Sequence, residues 1–158
     1  MKTRKLGNTD LELTVIGLGT WAQGGAGWKF GWGPQDDAQS IAAIHQAIDH
    51  GINWIDTAAV YGLGHAEEVL GKALKGMSER PTVATKCART WDHEGNIVKL
   101  QSKESVKREV EDSLKRLQLD VIDLYQVHWP EPEEQILEGW EAMTELVAEG
   151  KVRYIGVS

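Results

Sequence analysis

Ile52-Asn53-Trp54-Ile55-Asp56-Thr57-Ala58-Ala59-Val60-Tyr61-Gly62 reads as an apolar strand that ends on an aspartate and turns through a short loop carrying a tyrosine. A carboxylate and a phenol held that close point to proton chemistry at a strand end. Lys86 and His128 stand at the ends of two later apolar runs, so four candidate side chains recur at equivalent places along the chain.

Working upstream, Asp36 or Asp37 caps a helix whose Ile41, Ile44 and Ile48 share one face, and Gly51 supplies its left-handed stop. The segment from Gln23 to Pro34, crowded with Gly and Trp, reads as an ordered loop. Val15-Ile16-Gly17-Leu18-Gly19 reads as a short buried strand, and Gly7-Asn8 as the tight turn of an N-terminal hairpin. Downstream, Ala66, Val69, Leu70, Ala73 and Leu74 have helical spacing and Gly76 ends that helix. Thr82 to Lys86 is a strand, and Arg89 to Gln101 reads as a polar loop. Ser102 caps a long helix with Val106, Val110, Leu114 and Leu117 inward and Lys103, Lys107, Glu111 and Lys115 toward water. Val121 to Val127 is the next strand. A fourth helix carries Ile136, Trp140, Met143 and Val147 inward and stops at Gly150, before a final strand from Val152 to Val157.

Strands alternating with helices in this way build a parallel sheet from successive βα units. A doubly wound sheet would place G-x-G-x-x-G after a strand, and both Gly17-Leu18-Gly19-Thr20-Trp21-Ala22 and the Gly62-Leu63-Gly64 stretch, with Glu67 at the third position, break that rule. A (β/α)8 barrel collects its active site from the C-terminal ends of several strands, where Asp56, Lys86 and His128 fall. Such a barrel takes about 250 residues. The expectation is therefore an α/β TIM-barrel fold with only its N-terminal portion present: a hairpin followed by about five barrel strands.

At 158 residues and 41% hydrophobic content the chain can bury a core as one domain. A formal net charge of -7 argues against nucleic acid and anionic membrane as partners. The single cysteine, Cys87, rules out an intramolecular disulfide and fits a reducing compartment. No apolar run approaches the roughly 20 residues of a membrane helix, and Leu6-Gly7-Asn8-Thr9-Asp10 occupies the place of a signal core. A cytoplasmic location is expected. No metal site is expected either, because His93 and Glu94 are adjacent on a loop and adjacent residues rarely chelate one ion. Cys87 should face away from Lys86 and serve packing. Trp21, Trp28 and Trp32 are candidates to line a pocket.

Reducing a carbonyl requires a hydride at carbon and a proton at oxygen. Tyr61 is the candidate acid, but a free phenol has a pKa of about 10, so a neighbouring Lys86 is expected to lower it. Asp56 would hold Lys86 charged and oriented, and His128 would hydrogen-bond the substrate oxygen. Each residue also has a plain structural use: an Asp–Lys ion pair, a histidine bonded to backbone, a tyrosine roofing the core. Their conjunction on one rim favours the chemical reading.

Several motifs in order resemble the aldo-keto reductases: Gly17-Leu18-Gly19-Thr20-Trp21, Asp56 to Gly62 with Glu67 and Gly71 behind it, Ala84-Thr85-Lys86, Leu124 to Pro130, and Gly150 to Arg153 through Gly156-Val157-Ser158. The likeness is nearest to the bacterial general-stress-protein branch. It implies a (β/α)8 fold, NADPH (NADP+) as cofactor and small aldehydes or ketones as substrates. By the resemblance Tyr61 is the proton donor, Asp56 and Lys86 tune it, and His128 orients the carbonyl. Thr20, Trp21 and Asp56 would touch the nicotinamide and its ribose, and Ser158 the carboxamide.

In that family an asparagine after Ser158, the aromatic that stacks on nicotinamide and the basic residues for the 2′-phosphate lie further along. Residues 1–158 are accordingly expected to be the N-terminal portion of one barrel domain. They should self-associate through open edges and require the C-terminal half for activity. Two other readings stand beside the enzyme: a non-catalytic NADP(H)-sensing module and an inactive truncated fragment. His128 favours the enzyme, because the channel-associated relatives carry a different residue there.

Overall fold

A computed structural model describes all 158 residues. The chain opens with a hairpin of β1 (Thr3–Lys5) and β2 (Glu12–Thr14). Its connection is wider than a two-residue turn, because the Leu6 amide bonds to the Leu11 carbonyl and the Thr9 amide to the Leu6 carbonyl. Five parallel strands follow: β3 (Leu18–Gly19), β4 (Trp54–Asp56), β5 (Thr82–Cys87), β8 (Ile122–Val127) and β9 (Val152–Val157), side by side in that order. Between β5 and β8 a small antiparallel pair, β6 (Thr90–Trp91) and β7 (Ile97–Val98), stands apart from the sheet.

The helices α1 (Asp37–Asp49), α2 (His65–Leu74), α3 (Lys103–Leu117) and α4 (Ile136–Ala148) pack in sequence against one another, each joining two sheet strands. The Asp36 side chain accepts from the Gln39 amide at 2.8 Å, and Ser102 accepts from the Ser105 amide at 3.3 Å, so both predicted caps hold their helix starts. This is the α/β sheet-and-helix layering of the barrel class expected from the sequence, with five of its strands.

Strand alternation divides the sheet into two faces. Val83, Thr85 and Cys87 face the helix layer, where Val69, Leu70, Val106, Val110, Met143 and Leu146 are buried with them. Cys87 is fully buried with its sulfur 3.7 Å from that of Met143, in the packing role expected of it. The intervening Lys86 points to the opposite face, toward Asp56. At the other end Trp54 plugs the sheet: its Nε1 donates to the Thr14 carbonyl at 2.9 Å, and a Cβ on Gly17 would come within 2.2 Å of its ring. Asn53 fastens the hairpin to this end, donating to the Glu12 carbonyl at 2.7 Å.

Four local expectations are corrected. Val15 and Ile16 are exposed and only Leu18–Gly19 forms a strand, because β3 has β4 as its single neighbour. The segment from Arg89 to Gln101 is not a plain loop: Asp92 accepts from the Glu94 and Asn96 amides, each at 2.9 Å, and folds the chain back so that β6 meets β7. In α4 the buried stripe is Gly139, Ala142, Met143 and Leu146, while Trp140 and Val147 are exposed. Gly139 decides that rotation, since a Cβ there would come within 2.3 Å of Gln101 Cγ. The exposed side of α3 is not simply in water: Lys103 and Lys107 pair with Glu145, Lys107 also with Glu149, and Glu111 with Lys151.

No helix is long and apolar enough to cross a membrane.

Candidate active site

Parallel strands deliver the site residues to one rim. Asp56 closes β4, Lys86 is the penultimate residue of β5, and His128 directly follows β8. The pairings of Asp56 with Ala84 and of Lys86 with Gln126 keep these strand ends level. Ser158 follows β9 on the same rim, its amide donating to the Val127 carbonyl at 2.9 Å.

Tyr61 arrives from the loop after β4. That loop is pinned at Gly62, whose φ is +64° and whose added Cβ would lie 2.1 Å from the Gly24 carbonyl oxygen. Only glycine permits this approach, and it draws the Trp21–Gly24 3-10 turn against the Tyr61 loop.

The Lys86 ammonium is the hub. It donates to both Asp56 carboxylate oxygens at 2.8 and 2.9 Å, to the Thr57 carbonyl at 2.8 Å and to the Tyr61 hydroxyl at 3.4 Å. The Tyr61 ring stacks on Trp21 at 5.4 Å between centroids and meets the His128 ring edge-on at 5.8 Å. Asp56, Tyr61, Lys86 and His128 therefore converge as the sequence suggested.

Their electrostatics differ from expectation in one respect. Burial, then the negative charge of Asp56, pushes the Tyr61 phenol up to about 12. The predicted lowering by Lys86 is absent because that ammonium is engaged by Asp56 and the Thr57 carbonyl at shorter range than by the phenol. Burial pulls Lys86 below the usual lysine value, with Asp56 opposing. Burial followed by the charges of Lys86 and Arg89 pulls His128 down to about 4. At neutral pH the rim thus presents a protonated phenol and a neutral imidazole.

Of the remaining sequence candidates, Trp21 is part exposed at the rim and Asp56 keeps a side-chain exposure of 31%. Thr20 is fully buried, and its hydroxyl donates to that of Thr57 at 2.8 Å, so it supports the Asp56–Thr57 turn from below. Trp28 lines a cavity of about 460 Å³ beside Tyr61 and His128, whereas Trp32 is 74% exposed and lies outside it. His93 and Glu94 project into solvent.

The rim leaves open space beside its polar groups. Asp56 and Ser158 present polar groups there, and a Cβ on Gly19 would meet nothing within 4 Å, so backbone stays open beside Asp56.

Sequence reading missed Arg89. Ala88, before it, has φ +67° and donates its amide to Glu109 at 3.1 Å, which turns the chain so that the buried Arg89 side chain reaches the cavity. No residue type at Ala88 signals that conformation. Glu67 was missed as a structural residue, although its place in the stripe of Ala66, Leu70 and Ala73 marks it as inward. It is fully buried, accepting from Thr85 at 2.6 Å and Arg116 at 2.7 Å.

A family model for the aldo/keto reductase family matches residues 15–158. The chain is 47% identical over its full length to the aldo-keto reductase YhdN of Bacillus subtilis (strain 168), covering 47% of that protein. It is 40% identical, again over its full length, to the NADH-specific methylglyoxal reductase of Escherichia coli (strain K12), covering 52% of it. The solved aldo-keto reductase AKR11C1 of Bacillus halodurans (holo form) superposes with a TM-score of 0.88 at 36% identity, over 100% of this chain and 50% of that one. The Klebsiella pneumoniae aldo/keto reductase in complex with NADP and acetate gives a TM-score of 0.77 at 36% identity, over 99% of this chain and 49% of that one. The chain thus spans about half the length of the curated relatives it matches. With the motifs, the sheet order and the model match in agreement, this chain belongs to the aldo/keto reductase family.

Proposed function

We propose that this rim serves the reduction of small aldehydes and ketones to alcohols, with NADPH as hydride donor and Tyr61 as general acid. The observation that carries the reading is the Lys86 ammonium, held by Asp56 and reaching the hydroxyl of Tyr61, which lines the cavity. Asp56, Trp21 and Ser158 would hold the cofactor, which would supply the hydride. His128, neutral at working pH, donates a hydrogen bond to the carbonyl oxygen and fixes it beside the phenol.

A phenol near 12 is a weak acid toward a ketone but a strong one toward the product. The alkoxide that develops is roughly as basic as hydroxide, whose conjugate acid has a pKa of ~15.7, so the proton passes downhill once hydride has arrived. Lys86 then faces a phenolate and stabilises it. Its role lies after proton transfer rather than before.

Lys86→Met is therefore expected to move the phenol above about 12, because Asp56 loses its counter-charge beside it. The sign is read most clearly in alcohol oxidation by NADP+, which needs the phenolate and speeds up as pH rises. At pH ~9 the variant should oxidise alcohol at least about tenfold more slowly, one pKa unit being tenfold in phenolate population. An unchanged rate and pH profile would make the lysine structural.

NADPH is the proposed donor because the Klebsiella neighbour was solved with NADP, and NADH is its competitor because the Escherichia coli relative is named NADH-specific. Aldehyde-dependent consumption of each dinucleotide, by a protein extended to the length of its relatives, tests both the reaction and the choice. Failure with both would leave a non-catalytic binding module.

The polypeptide of residues 1–158 is proposed to self-associate. β3 and β9 each have one neighbour in the sheet, and unpaired strands recruit other chains. Sedimentation should show concentration-dependent oligomers. A stable monomer that reduces aldehyde by itself would contradict both this and the need for further barrel strands.

A further inference from the structure

We infer that the cavity beside Tyr61 selects carbonyl compounds bearing a carboxylate or similar anionic group remote from the carbonyl. This rests on the function proposed above and adds a substrate class to it.

The cavity has an aromatic inner wall of Trp21, Trp28 and Tyr61, with His128 at its reactive end. Its 13 lining residues include Lys29, Arg89 and Lys99 but no aspartate or glutamate. In a chain of formal net charge -7 that is a local reversal of sign. Such a field in a low-dielectric cleft concentrates ligands of the opposite charge.

Neighbouring carboxylates neutralise the cluster only in part. Glu131 takes both Arg89, at 2.8 Å, and Lys99, at 2.7 Å, on the same oxygen. One carboxylate thus serves two cations. Lys29 lies 5.8 Å from the centroid of the Phe30 ring and has no ion-pair partner. Positive charge reaches the reactive end too, where burial first and then Lys86 and Arg89 hold His128 in its neutral form. Buried Arg89 fixes the inner charge, and exposed Lys29 and Lys99 set the mouth. A substrate with its carbonyl at Tyr61 and His128 would carry its anionic group outward to the two lysines. Removing a lysine from this mouth therefore acts on the anionic end of a ligand rather than on its carbonyl.

The test uses 4-carboxybenzaldehyde and 4-methylbenzaldehyde, which share a reacting group and differ in charge. Quenching of tryptophan fluorescence, with Trp21 and Trp28 in the cavity wall, reads binding to the protein extended to the length of its relatives, without turnover. The carboxylate should bind about tenfold more tightly at low salt, with the margin shrinking as salt rises. In a Lys29→Gln/Lys99→Gln double variant, which alters only exposed side chains and should fold normally, the preference should fall to roughly twofold or less. Equal affinities, a preference that survives the double substitution, or no quenching by either aldehyde would overturn the inference. Selective binding without reduction would instead sink the proposed function and leave the anion preference standing. Equal reduction of both aldehydes would do the reverse.

Discussion

Tyr61→Phe is expected to lower carbonyl reduction by about 100- to 10,000-fold, the usual cost of losing a general acid. Dinucleotide affinity should remain nearly intact, because the change removes one oxygen and no packing. The phenyl ring would keep its stack on Trp21 and its edge contact with His128. Lys86 would lose its longest contact, at 3.4 Å, while Asp56 and the Thr57 carbonyl still hold it within 2.9 Å. Binding and chemistry should therefore separate cleanly in a titration run beside a steady-state assay. Near-normal turnover by the variant would mean that another group delivers the proton.

Arg116→Met should cost about 3–5 kcal/mol of stability, the range for removing one partner of a buried ion pair. Glu67 has no exposed surface, and its second oxygen lies 2.7 Å from Arg116 Nε. Without the guanidinium, that carboxylate keeps only the Thr85 hydroxyl, at 2.6 Å. The pair binds α2 to α3, and Thr85 precedes Lys86 on β5, so its loss also loosens the strand that aims the hub of the site. Urea denaturation should show the drop, and a Glu67→Gln/Arg116→Met double variant should recover much of it because no unpaired charge is then buried. A single variant within about 0.5 kcal/mol of the parent, as for an ordinary surface substitution, would show that Glu67 finds another partner.

The rim was legible because period and position agree. Asp56, Lys86 and His128 each close an apolar run, and a parallel sheet brings such ends together whatever the intervening helices do. Helix caps were equally readable, since Asp36 and Ser102 act within three residues of themselves. What escaped depends on contacts remote in sequence or on backbone geometry. The face α4 buries is chosen by Gln101 against Gly139, and the β6–β7 pair by the side chain of Asp92. Arg89 enters the cavity through a positive φ at an alanine. The height of the Tyr61 pKa follows from burial and then from the negative charge of Asp56, which no spacing encodes.

The central claim is that this rim completes a hydride transfer by delivering a proton from Tyr61. NADPH carrying deuterium at both hydrogens of the nicotinamide C4, supplied with an aldehyde and the protein extended to the length of its relatives, tests it most directly. The account predicts alcohol with deuterium on the former carbonyl carbon, formed by the parent protein and nearly absent with Tyr61→Phe. Alcohol without that label, or equal labelled product from the Tyr61→Phe variant, would contradict it.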